Sequence, residues 1–206
     1  VRAFAASKFL SGERLRIGII GEGRIGGTVG GLLQDAGHDI CFGTRVPTGV
    51  GPNDIPEVSI RDAAIFGDVV LCAVPLKSWP ELAGQLAISV SGKVVIDTSN
   101  ADKNRDGDLA ERALASDEGV AGIVSALLPA ARLVRTFTTI EASALAENAH
   151  RDGERMGLPI AGADPEAVTI ASVLVSDAGF EPVDLGALKQ ARRFDSDSNV
   201  FNTGMT

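Results

Sequence analysis

Short continuous apolar runs alternate with helix-like stretches along most of this chain. Residues 17–20, 40–42, 68–74 (DVVLCAV), 93–98 (KVVIDT), 133–137 (LVRTF), 158–161 and 180–185 have strand length and few polar interruptions. Between them lie segments with helical character: 25–36, a short helix capped by Ser59 and running to Phe66, 79–86 with Pro80 in its first turn, 106–117, 120–131 and 140–148. Further on, Asp164 and Pro165 open a helix that runs to about residue 178, where Gly179 is placed to end it; residues 186–193 read as a last short helix. Residues 46–56, rich in Gly and Pro, read as a loop. Continuous apolar strands alternating with helices are the mark of a parallel sheet covered on both faces.

The first of these units carries a glycine pattern. Gly21, Gly23 and Gly26 follow the first strand at G-x-G-x-x-G spacing, and a helix and a second strand come after. In such a βαβ unit the first glycine permits a tight turn, the second lets backbone approach a pyrophosphate, and the third lets helix and strand pack closely. The helix then presents free N–H groups and its positive end to an anion. The expected fold is therefore α/β, a Rossmann doubly wound and mostly parallel sheet with a short C-terminal extension. Residues 15–206 are expected to form one dinucleotide-binding domain whose later strands and helices complete a cleft. Residues 1–14 precede it, as a short helical extension or a vector remnant.

Composition narrows the partners. The chain has 206 residues and a formal charge of −8 without any lysine or arginine cluster, which argues against nucleic acid. It has no apolar run of about 18 residues, so no membrane span is expected. Cys41 and Cys72, both in predicted strands, read as buried reduced thiols of a cytoplasmic protein. With His38 and His150 as the only histidines, no metal site is expected, and both histidines read as surface residues. A homodimer is an open option.

The end of the second strand bears on the choice of nucleotide. It reads Phe42-Gly43-Thr44-Arg45 and has no acid to bind a free ribose 2′-hydroxyl. A guanidinium suits a phosphate, so NADP is favoured over NAD, and Arg24 offers a second positive group. Glu22 opposes this unless it faces solvent or pairs with Arg24 or Arg45.

These residues resemble the NADPH-dependent reductases of the deazaflavin coenzyme F-420 and the related dinucleotide-binding domains of STEAP metalloreductases. The resemblance rests on GEGRIGGTVGGLLQDAGHDICFGTR, VVLCAVP (69–75), GKVVIDTSN (92–100), LVRTFTTI (133–140), AGADPEA and DAGFEPVDLGAL (177–188). It implies that Gly21, Gly23, Arg24, Ile25 and Gly26 hold the pyrophosphate and that Thr44 and Arg45 meet the 2′-phosphate. It also implies that Ala73, Val74 and Pro75 run beside the nicotinamide ribose. Asn100 would lie near the nicotinamide, and a deazaflavin or flavin acceptor would stack there, walled by Asn100, Thr138 and Thr139. Three departures stand out: Ala101 replaces the family's proline, Thr138 replaces its asparagine, and Glu22 replaces a small hydroxyl residue.

The chain has no tyrosine, which excludes a Tyr/Lys proton donor. Carbonyl reduction needs a group to polarise the developing alkoxide, whereas a flavin or deazaflavin ring takes up the charge itself. No residue is therefore assigned as an acid or base, and positioning carries the expected hydride transfer. The alternative is an NADP(H)-binding module without turnover of its own. Lys77 reads as a solvated lysine and Trp79 as a core anchor. Asp97 reads as a ribose contact or a turn cap. The tail from Phe194 gives no structural signal.

Overall fold

The computed structural model describes residues 14–203. The extension expected over residues 1–14 thus lies, except for Arg14, outside the described residues. Eight strands form the sheet: β1 (Arg16–Ile20), β2 (Asp39–Thr44), β3 (Glu57–Ser59), β4 (Val69–Cys72), β5 (Val94–Asp97), β6 (Arg132–Arg135), β7 (Gly157–Gly162) and β8 (Glu181–Asp184). Their spatial order is β3-β2-β1-β4-β5-β6-β7-β8. The first six are parallel, in the order of a dinucleotide-binding Rossmann sheet. β7 then runs antiparallel to β6, with β8 parallel to β7.

The helices are α1 (Arg24–Asp35), α2 (Ile60–Phe66), α3 (Trp79–Leu86), α4 (Lys103–Asp106), α5 (Asp108–Ala115), α6 (Gly119–Leu127), α7 (Ala142–Asn148) and α8 (Pro165–Asp177). Strand side chains alternate between two apolar layers. On β1, Ile17 and Ile19 join Val29, Leu33, Leu145 and Leu174 of α1, α7 and α8. Ile20 faces the other layer, with Ala63, Trp79, Leu82 and Val124 of α2, α3 and α6. Burial on both faces is why the strands read as continuous apolar runs.

Several expectations change. β3 is a three-residue strand, Glu-Val-Ser, with no apolar run to announce it; it exists because Phe42–Thr44 offers it an edge to pair with. The helix expected over 106–117 is the shorter α5, and an unforeseen turn of helix, α4, precedes it across Gly107 with φ of 54°. The last expected helix is a 3₁₀ segment, Leu188–Phe194, packed on α6, β6 and β7. His38 is no surface residue: its side chain is 8% exposed, Nδ1 accepts the Leu15 N–H at 3.3 Å, and Nε2 lies 3.0 Å from Asp177 Oδ2. Hydrogen bonds between neighbouring elements override its position beside a helix-ending glycine.

Asp164 caps α8 as its position suggested, accepting the Ala167 N–H at 3.0 Å. Its carboxyl also takes a two-pronged contact from the buried Arg132, at 2.7 and 2.9 Å. That guanidinium holds the Asp164 pKa down to about 2, against an ordinary 3.8. A depressed carboxyl stabilises the fold above its unfolded pKa and loses that contribution as pH falls through the folded one. Asp164→Asn, which keeps a capping oxygen but loses the charge facing Arg132, is therefore expected to cost about 1 kcal/mol near neutral pH. The gap to wild type should shrink between pH 4 and pH 2, as read by urea denaturation at each pH. A pH-independent gap would assign the effect to the cap geometry alone.

Candidate active site

At the carboxyl end of β1 the chain turns at Gly21, with φ of 96°. A side chain there would meet Ala73 O at 2.6 Å, and one at Gly26 would collide with Gly21 O, so the turn and helix close only with glycine at both. Gly23 differs: nothing lies within 4 Å of where its side chain would go. It faces the open space that a pyrophosphate would need. The first hydrogen bond here runs from Gly27 N–H to Gly23 O at 2.7 Å, so the N–H groups of Arg24, Ile25 and Gly26 precede the helix's own bonding. No acidic residue occupies the first turn of α1.

A cavity of about 310 Å³ opens beside this turn, between β1 and β4, where the strand order reverses. It brings together Gly21, Gly23, Thr44, Arg45, Ala73, Val74 and Pro75, all anticipated from the sequence. The second-strand end is as expected: Thr44 closes β2 and Arg45 is exposed just beyond it. Thr44 Oγ1 is buried and has no hydrogen-bond partner among the described residues. A buried hydroxyl of this kind calls for an acceptor or donor from outside the chain.

Arg24 lies elsewhere. It is exposed and lines a shallow depression along α1 with Gly27, Thr28 and Asn53. Glu22 lines both hollows but pairs with neither arginine. Its carboxyl lies against that of Glu57 on β3, and this proximity raises the Glu22 pKa and lowers that of Glu57. Glu57 Oε2 is further held by the Thr48 N–H at 2.6 Å and the Thr48 hydroxyl at 2.9 Å. The sequence missed this because β3 was not foreseen. It also missed the wall that α3 supplies through Leu82 and Gln85, with Ser78 just before it.

Past the ends of β5 and β6, Asn100 and Thr138 meet. Asn100 Nδ2 donates to Thr138 O at 2.6 Å, while Asn100 Oδ1 and Thr138 Oγ1 are buried without partners among the described residues. Thr139, expected on the same wall, turns into a small recess lined by Ile140, Met156 and Val200. Phe137, with φ of 57°, is the bend that separates the two loop residues from β6.

Below this point sits a charged cluster the sequence did not assign. Arg135 is fully buried on β6 and contacts Asp97 Oδ2 at 2.6 Å and Asp195 Oδ1 at 3.1 Å. Asp97 also accepts the Ser99 N–H at 2.9 Å, so of its two expected roles the turn cap is the one formed. Burial pushes the Asp195 carboxyl up despite Arg135. A signal was present: an arginine and an aspartate inside apolar strands, LVRTF and KVVIDT, each need a partner. Trp79 is a core anchor, fully buried, with Nε1 donating to Ser99 Oγ at 3.1 Å. Lys77 is exposed. Among the described residues no helix is long and apolar enough to cross a membrane.

Known proteins share this framework. The chain is 30% identical over 189 residues to the metalloreductase STEAP3 of Rattus norvegicus, a match that covers 89% of this chain but only 36% of that protein. A hypothetical protein of Sinorhizobium meliloti, SMa0349, superposes with a TM-score of 0.73 at 27% identity, covering 97% of this chain and 95% of its own. A candidate F420-dependent NADP reductase of Arthrobacter sp. FB24 has the same fold, with a TM-score of 0.72 at 22% identity over 86% of this chain and 87% of its own. Residues 16–101 match the family described as NADP oxidoreductase, coenzyme F420-dependent. The likeness to that family of NADP-dependent oxidoreductases thus lies in the part of the chain that carries the glycine turn.

Proposed function

We propose that this protein binds NADP(H) in the cavity beside the glycine turn and transfers hydride between it and a flavin or deazaflavin ring. The observation that carries the reading is the partnerless Thr44 hydroxyl next to Arg45, at the strand end where an acid would mark NAD. Gly21, Gly23, Ile25 and Gly26 would hold the pyrophosphate through backbone N–H groups. Thr44 and Arg45 would hold the 2′-phosphate, with Arg24 too far round α1 to line that cavity. Ala73, Val74 and Pro75 would flank the nicotinamide ribose, and Asn100 and Thr138 the ring and its acceptor.

Bound NADPH would supply the hydride. The chain's own part is to align two planar rings and keep water out. Neither Asn100 nor Thr138 titrates, which suits an acceptor that takes up charge in its own ring and does not suit a carbonyl. Titration of the protein with NADPH and NADH, followed by NADPH oxidation with flavin or deazaflavin, tests this. Equal weak affinity for both nucleotides would defeat the cofactor assignment. Tight NADPH binding without oxidation by any ring acceptor would favour a binding module that hands its nucleotide to a partner. The turn of Thr139 away from Asn100 favours that second reading.

Glu22 offers a sharper test. Its carboxylate borders the cavity assigned to the 2′-phosphate. Glu22→Thr, which removes that charge, should tighten NADPH binding by about tenfold at pH 8, the size of a screened repulsion over several ångströms. NADH binding should hardly change. The advantage should narrow as pH falls, because the raised pKa of Glu22 lets its carboxyl keep a proton at higher pH than usual. Isothermal titration at pH 8 and pH 5.5 reads both effects.

A further inference from the structure

Three successive backbone carbonyls past β5 are each held by a side chain from a different part of the fold. Ser99 O accepts from Arg135 Nη2 on β6 at 2.9 Å. Asn100 O accepts from Arg105 Nη2 on α4 at 2.6 Å. Ala101 O accepts from the Ser196 hydroxyl, in the C-terminal tail, at 2.6 Å. The neighbouring loop is held from the same tail, since Thr139 O accepts the Asn202 N–H at 2.7 Å. Asp195 ties the tail down: it is buried, takes the Arg135 guanidinium on Oδ1, and accepts the Val120 N–H of α6 on Oδ2 at 3.3 Å.

We infer that the C-terminal tail is a positioning element of the site, in which Asp195 and Ser196 fix the 99–101 loop so that Asn100 stays directed at Thr138. This rests on the proposed placement of the nicotinamide beside Asn100. Three lines of geometry meet there. The loop itself is neither strand nor helix, so nothing in its own backbone bonding fixes Asn100. Two of the three side chains that do fix it, Arg135 and Ser196, come from residues remote in sequence. And the buried, partnerless Oδ1 of Asn100 and Oγ1 of Thr138 keep their places, at a cost to stability, only if the surrounding backbone is held rigidly. Neither Asp195 nor Ser196 lines the cavity beside the glycine turn, so their influence runs through the loop and leaves the adenosine end alone.

The test uses the full chain with Ser196→Ala and Asp195→Asn, and Ser196→Thr as the conservative variant. Three quantities are read: amide hydrogen exchange at residues 99–101 and 138–139 without nucleotide, affinity for 2′,5′-ADP, and the fluorescence gain of the nicotinamide when NADPH binds. Ser196→Ala and Asp195→Asn should speed loop exchange at least fivefold and halve the fluorescence gain, with 2′,5′-ADP affinity within twofold of wild type. Ser196→Thr, which keeps the hydroxyl, should restore both. Unchanged exchange and fluorescence in Ser196→Ala, with wild type binding NADPH, overturn the inference and leave the cofactor reading standing. A wild-type chain that ignores 2′,5′-ADP and NADPH defeats the cofactor reading and with it the functional role of the tail, while faster exchange in Ser196→Ala would still show the clamp itself.

Discussion

Arg135→Met should lower the folding stability of this protein by about 3–5 kcal/mol, the largest single-residue effect expected outside the apolar layers. The guanidinium is fully buried between Asp97 and Asp195, which are themselves almost fully buried. Methionine fills much the same volume but leaves Asp97 without its cation and Asp195 with only Arg192, at 3.9 Å. Their desolvation is then uncompensated, and each must take up a proton or admit water. A urea midpoint shift at unchanged slope measures the loss. The triple variant Arg135→Met, Asp97→Leu, Asp195→Leu should recover only part of it. Asp97 also caps Ser99 and Asp195 accepts from Val120, and leucine does neither. A loss below about 1 kcal/mol in Arg135→Met, the range of an exposed pair, would show that the cluster is wetter than its burial implies.

Arg45→Ala should weaken NADPH binding by about 1.5–3 kcal/mol, roughly ten- to hundredfold, which is the worth of hydrogen bonds to a charged group. NADH affinity should stay within about twofold. The discrimination has a geometric basis. Arg45 lines the cavity at the end of β2, on the side away from the β5 and β6 loops, so it can reach only what lies at the adenosine end. An equal loss for both nucleotides would mean that Arg45 does not read the 2′ position. Thr44→Val should show the same selectivity at smaller size, since it removes one neutral hydroxyl. Together with Glu22→Thr, these substitutions bracket the proposed 2′-phosphate site from its attractive and its repulsive side.

Much of the architecture was legible because burial on both faces leaves a plain trace. The strands at 17–20 and 69–72, and 94–96 of β5, are unbroken apolar runs, and the glycines at 21 and 26 encode a turn and a close approach that only glycine permits. Caps were equally readable, because Ser59 and Asp164 act on backbone two or three residues away. β3 was not readable: three residues without an apolar pattern become a strand only because β2 presents an edge. His38 was misplaced for the same reason, its partners being Leu15 and Asp177. Thr139 follows Thr138 in sequence, yet Thr138 meets Asn100 while Thr139 lines a separate recess beside Met156.

The amino-acid sequence by itself determined the order of βα units, the glycine turn, and the absence of an acid at the end of β2. All are local: periodicity, spacing and side-chain size act over a few residues. Only the tertiary structure decided which charges meet. It set Glu22 against Glu57, drew Arg24 away from the cavity, and brought Asp195 from the tail onto Arg135 beneath Asn100. Those pairings join residues far apart along the chain. Their energies depend on distance and desolvation, which exist only once the sheet has closed.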